Sequence, residues 1–171
     1  MPASPPPWKA SFPLLPQAPE AGLSDQAIDW WRKAGELALH RSAFASGVAH
    51  FKAAIELADG LEDSAAHRLQ RLRVQTIYAQ ALVHAKGQSA PETSAAFTRA
   101  RELATGVEDA AERFPAYYGL WTGGYNRVDL TSMQELAEAM QREVRQSAGS
   151  AEAGIAHRVS GITSWFQGNY A

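Results

Sequence analysis

The chain has 171 residues, 46% hydrophobic and 20% charged, with a formal net charge of −2, five histidines and no cysteine. That is one domain's length with enough apolar mass for a core. Its charge balance gives no electrostatic basis for binding nucleic acid or an anionic membrane surface. The missing thiols exclude disulfides and thiolate zinc sites, and no apolar run reaches the ~18 residues of a membrane span.

Seven of the nine prolines lie in residues 1–19. Each removes a backbone donor and restrains the residue before it. Residues 1–22 therefore read as a Pro-rich disordered arm or linker, with Trp8 and Phe12 able to pin part of it to the body. The arm has no continuous apolar segment of the kind a secretory signal carries, and a cytoplasmic location is expected.

Residues 23–171 read as all-α, in about seven helices, because alanine is abundant and apolar residues recur at three- and four-residue spacing. Ser24 is placed as the cap of a first helix ending near His40. A second helix covers about 43–58, with Gly60 as a left-handed cap. The third, about 64–85, ends at Gly87. In "SAPE" (89–92) Ser89 and Glu92 have capping-box spacing and Pro91 suits a first turn, which opens a fourth helix. The fifth is expected over about 109–122, ended by "GG" at 123–124. "TSMQ" (131–134) offers a capping box for a sixth helix to about Gln146, "SAGS" (147–150) breaks the chain, and a seventh covers about 151–167. Short connections imply antiparallel neighbours.

The chain repeats itself. "AFASGVAHFKAAIELA" (43–58) and "SAPETSAAFTRARELA" (89–104) match at six positions under an offset of 46, including Phe51 with Phe97 and Ala54 with Ala100. Gly35 precedes Phe51 by 16 residues, and Ala81 precedes Phe97 by 16. A small residue opposite an aromatic, with an alanine three residues on, is the packing set of a helical hairpin repeat. In a third unit Leu136 and Ala139 would take these places opposite Gly119 or Leu120. In a fourth, Gly161 would be the small residue and the repeat would be incomplete. The spacing exceeds the ~34 residues of a tetratricopeptide unit, so HEAT-like pairs remain an alternative to the favoured tetratricopeptide-like right-handed superhelix.

"WWRKAGELALHRSAFASGVAHFKAAIELADGL" (30–61), "GQSAPETSAAFTRARELA" (87–104), "YYGLW" (117–121) and "AHRVSGITSWFQGNYA" (156–171) resemble the tetratricopeptide region downstream of the ATPase module in bacterial adenylate/guanylate cyclase-like proteins. The resemblance covers roughly residues 27–171. It implies a noncatalytic protein–protein interaction module or scaffold, the repeat region of a cyclase/ATPase-type signalling protein. The catalytic parts of that family have no counterpart here, since no "GK[ST]" occurs for a phosphate loop and no strand pattern presents paired aspartates.

No enzyme, cofactor or metal is expected. The histidines His40, His50, His67, His84 and His157 form no His-x₃-His pair, and the basic stripe "RLQRLRVQ" (68–75) reads as solvated. With Gly35, Ala81, Leu120 and Gly161 as references, the first helices would turn Asp29, Arg32, Glu36, Gln75, Tyr78, Tyr117, Trp121, Arg158 and Trp165 toward a concave groove. Arg32, Glu36, Tyr78, Tyr117, Trp121 and Arg158 are the candidate partner-binding set, since arginines among aromatics suit a protein or peptide partner. The alternative function is a sensor holding a small molecule or peptide in the same groove. At the C-terminus Ile162, Trp165, Phe166 and Tyr170 would lack cover and form a self-association end. A chain fragment, a homodimer through that end or a folded-back arm would each account for it.

Overall fold

The computed structural model describes residues 20–145 and 151–169. The Pro-rich arm to residue 19, the "SAGS" break and Tyr170 lie outside them. The described residues form seven helices and no strand: α1 (Glu20–His40), α2 (Phe44–Asp59), α3 (Ala65–Lys86), α4 (Pro91–Ala104), α5 (Ala110–Arg127), α6 (Leu130–Val144) and α7 (Ala151–Phe166). Each packs on the next, and α3 also meets α5. The result is a ladder in which neighbours in sequence are neighbours in space.

The repeated phenylalanines, and the repeated alanines after them, are buried. Phe51 and Phe97 are 0% and 3% exposed, and Ala54, Ala58, Ala100 and Ala104 are buried to 1% or less. These alanines let helices close up where larger side chains would hold them apart. A Cβ placed on Gly35 would lie 2.7 Å from Cε1 of Phe51, so that ring rests directly on the glycine as expected. Phe97 differs. Its ring lies on Gly119 of α5, where a Cβ would fall 2.2 Å from Cε1. The second aromatic thus faces the following helix, and the glycine expected for a third unit is already used by the second. Leu136 is buried, while Ala139 is only half-buried and Met133, Ala137 and Met140 share the core with it.

Helix ends account for most departures from the sequence reading. Helix α1 begins at Glu20, so Ser24 lies inside it and does not open it. Gly60 is right-handed (φ −81°), because α2 closes through the bond from Gly60 N–H to Leu57 O at 3.1 Å, with no left-handed turn. Ser64 caps α3 by accepting from His67 N–H, and Gly87 ends it at φ 94°. Ser89 caps nothing. Ala90 is the N-cap of α4 and Pro91 takes the first turn, while Glu92 reaches Lys86 across the turn.

The pair Gly123–Gly124 does not end α5. Both glycines are buried inside it, and a Cβ on Gly124 would lie in ordinary contact with α6, 3.4 Å from Met133 Cγ. The helix stops instead at Val128, which adopts a left-handed conformation (φ 56°, ψ 37°). Asp129, two residues before Thr131, then caps α6 by accepting from Ser132 N–H at 3.1 Å.

The stripe at 68–75 is only partly solvated. The Arg71 side chain is 12% exposed. Its Nε donates to Ala58 O at 2.9 Å, and its Nη2 donates to Leu61 O and Glu62 O. It therefore adds a side-chain donor to the carbonyls at the end of α2 and in the turn that follows.

Candidate functional site

The side of the ladder formed by α1, α3 and α5 carries an open cleft of about 850 Å³. Its position follows from hairpin packing. The second helices α2 and α4 fill the space behind, which leaves the first helices to line the front. Ile28, Leu69, Val74, Ile77 and Pro115 supply apolar lining. Of the α3 residues that line it, Ala66, Leu69, Gln70, Arg73, Ile77 and Gln80 recur at three- and four-residue spacing along one helix face.

The charged rim is organised as ion pairs. Arg32 Nη2 lies 2.6 Å from Asp29 Oδ1, Arg32 Nη1 reaches Glu36, and Lys33 Nζ lies 2.7 Å from Asp29 Oδ2. Hydrogen bonds from Lys33 and then Arg32 hold the Asp29 carboxyl below its ordinary range. Donation to Asp29 raises Arg32 in turn, against a smaller opposing effect of burial. At the other end, Arg73 Nε donates to Glu112 Oε1 at 2.8 Å, joining α3 to α5. That bond holds Arg73 above its usual value. On the remaining edge His67 Nε2 stands 3.9 Å from Asp25 Oδ1.

The sequence-derived set divides. Arg32 lines the cleft and Glu36 is tied to it. Tyr78 is half-buried against the cluster holding Phe97, Ala79 and Leu82. Tyr117 is half-buried against the core of α5–α7, with the Arg101 guanidinium 6.0 Å from its ring centre. Arg158 is exposed and donates to Tyr118 Oη at 3.0 Å. None of these three lines the cleft.

Trp121 is a correction. It is 4% exposed, and its Nε1 donates to Thr163 Oγ1 at 3.0 Å, so it ties α5 to α7 within the core and offers a partner no surface. Gln75 is likewise buried and donates to Ala96 O at 3.0 Å, bridging α3 and α4. The residues the sequence reading missed are Leu69, Arg73, Ile77, Glu112 and Pro115. Their signal was present in the α3 stripe, but the references chosen at Ala81 and Leu120 face the packed side.

At the C-terminal end Ile162 and Phe166 are half-buried against the α5–α7 core, and Trp165 stays 60% exposed. Tyr170 lies outside the described residues. Among the described residues no three His, Asp or Glu side chains gather as a metal site would require. No described helix is long and apolar enough to cross a membrane.

Comparison of the chain with family models, with curated proteins and with solved structures returned no match in any of the three.

Proposed function

We propose that the chain is a noncatalytic interaction module of the tetratricopeptide type, which takes an extended segment of a partner protein into the cleft across α1, α3 and α5. The cleft carries this reading. It is open, it spans three successive first helices, and it sets apolar lining between two fixed ion pairs. An extended peptide can lay side chains on the half-buried Leu69 and Ile77 while its backbone groups meet Gln70, Gln80 and the rim. Side chains already held by ion pairs lose little freedom on binding, which favours affinity. The resemblance in sequence to the repeat region of cyclase-like signalling proteins suggests a docking or regulatory role within such a protein.

One observation favours the sensor alternative. A volume of about 850 Å³ falls within the ~300–1,000 Å³ of small-molecule sites. The test is to select a displayed peptide library on the full chain and remeasure the hits on Leu69→Asp and Ile77→Asp. Leu69 and Ile77 are both only partly buried, so each substitution is expected to leave the fold intact. The expected outcome is at least about a tenfold loss of affinity. Hits indifferent to both substitutions would remove the cleft from consideration. A compound collection that raises the melting temperature of the native chain, but not of Ile77→Asp, would put the sensor reading first.

A further inference from the structure

Helix α7 turns Ala153, Ala156, Val159 and Thr163 into the core. Its other side shows Gly154, Arg158, Gly161 and Trp165, all exposed. At 3.6 residues per turn these four fall within an arc of about 60°, a single narrow stripe. A Cβ added at Gly154 or Gly161 would meet nothing within 4 Å, and Trp165 keeps 60% of its surface in solvent. Trp165 is not a stray side chain. It meets Phe166 edge-on at 5.1 Å, Phe166 meets Tyr125 edge-on at 5.5 Å, and Tyr125 stacks on buried Trp121 at 5.5 Å. The aromatic core of α5–α7 therefore continues outward to this face.

The stripe is complementary to itself. Along the chain it reads glycine, arginine, glycine, tryptophan at spacings of four, three and four residues. Those spacings are the same in reverse. Lay a second α7 antiparallel so that position 154 faces position 165, and position 158 then faces position 161. Every glycine meets a large side chain and every large side chain meets a glycine, which is the reciprocity a two-fold interface demands. No position on the stripe faces itself, so neither the two tryptophans nor the two arginines compete for one place. The same chain shows how it uses a bare glycine on a helix, because Gly35 and Gly119 each carry a phenylalanine ring.

We propose that this face of α7 docks on α7 of a second copy in an antiparallel, two-fold pair, with each Trp165 seated on Gly154 of the other copy and each Arg158 stem over Gly161. The proposal is independent of the cleft. One face of a four-turn helix is at the small end of stable interfaces, so the dimer forms with rising concentration.

The test is sedimentation equilibrium of the full chain over a concentration series, with Gly154→Gln, Gly161→Gln and Trp165→Ala beside the native chain. Glutamine is a good helix former placed in open space, so both glycine variants keep or raise the melting temperature while filling the seats. The native mass is expected to climb to that of a dimer. Each variant is expected to associate at least tenfold more weakly. A native chain that stays monomeric throughout, as it would if this face receives a different protein, overturns the proposal. So does a glycine-to-glutamine variant that dimerises like the native chain.

Discussion

Phe51 on Gly35 and Phe97 on Gly119 are the closest ring-to-backbone contacts at any glycine described, and they make glycine a packing requirement at two helix-interior positions. Gly→Ala at an exposed helix position normally adds about 0.5–1 kcal/mol of stability by restricting the unfolded chain. At Gly119 the new methyl would fall 2.2 Å from Phe97, a ring only 3% exposed with little room to yield. Gly119→Ala is therefore expected to destabilise by about 1–3 kcal/mol and Gly35→Ala by somewhat less. Gly161→Ala, with open space around it, should stabilise. Urea unfolding of the three variants checks the order, and equal effects at Gly119 and Gly161 would contradict the ring-on-glycine packing. The repeat in the sequence made Gly35 legible. It misassigned Gly119, because residue spacing does not say whether a ring packs on the helix before it or the helix after it.

Helix ends are where local chemistry and tertiary contact compete. Val128 closes α5 in a left-handed conformation that a β-branched residue rarely adopts, and its side chain is 57% exposed. The two N–H bonds from Val128 and Asp129 to Tyr125 O and Gly124 O hold it there. Val128→Gly removes the Cβ conflict and loses little packing, so a gain of about 1 kcal/mol is expected in urea unfolding. On α1, Asp29 titrates below its ordinary range because Lys33 and Arg32 bond its charged form. Its stabilising contribution is present above the unfolded value of about 4 and is lost as pH falls through the lower folded value. Stability should be level from neutral pH to about 5 and decline below that, with a shallower decline in Asp29→Asn. The pair is largely solvated, so screening keeps the effect under about 1 kcal/mol. A steeper acid slope in Asp29→Asn than in the native chain would refute it.

At the scale of the molecule, the ladder separates two surfaces. The cleft belongs to α1, α3 and α5, and the self-complementary stripe belongs to α7, whose packing is against α6 and the α5 core. Two ion pairs between first and later helices differ in their setting. Arg73 and Glu112 bridge the cleft with side chains 54% and 25% exposed. Arg113 and Glu143 join α5 to α6 with 19% exposure each, and Arg113 also donates to Val107 O and Glu108 O. The first pair stands at the cleft, where a ligand would meet it, and the second holds the support on which the cleft's far wall stands. Gly161→Gln should accordingly weaken self-association at least tenfold with no change in peptide affinity, and Ile77→Asp should weaken peptide binding with no change in self-association. Binding measurements on both variants at monomer and dimer concentrations test that separation.

The sequence by itself determined the helical class, the number and order of the helices and the repeated set of Phe51, Ala54, Phe97 and Ala100 in the core. Local propensity and 3.6-residue periodicity carry that information without reference to neighbours. Tertiary structure decided which side of each helix faces the cleft. A slip of one residue turns a helix face by about 100°, enough to exchange Tyr78 for Ile77 on α3. It also decided that Trp121 is core, since its indole N–H is satisfied by Thr163, 42 residues away. Arg71 is the converse case, a charge that looked solvated and instead serves the carbonyls at the end of α2. A polar group's role is set by the partner that meets it, and a partner brought close only by folding leaves no trace in the spacing of residues along the chain.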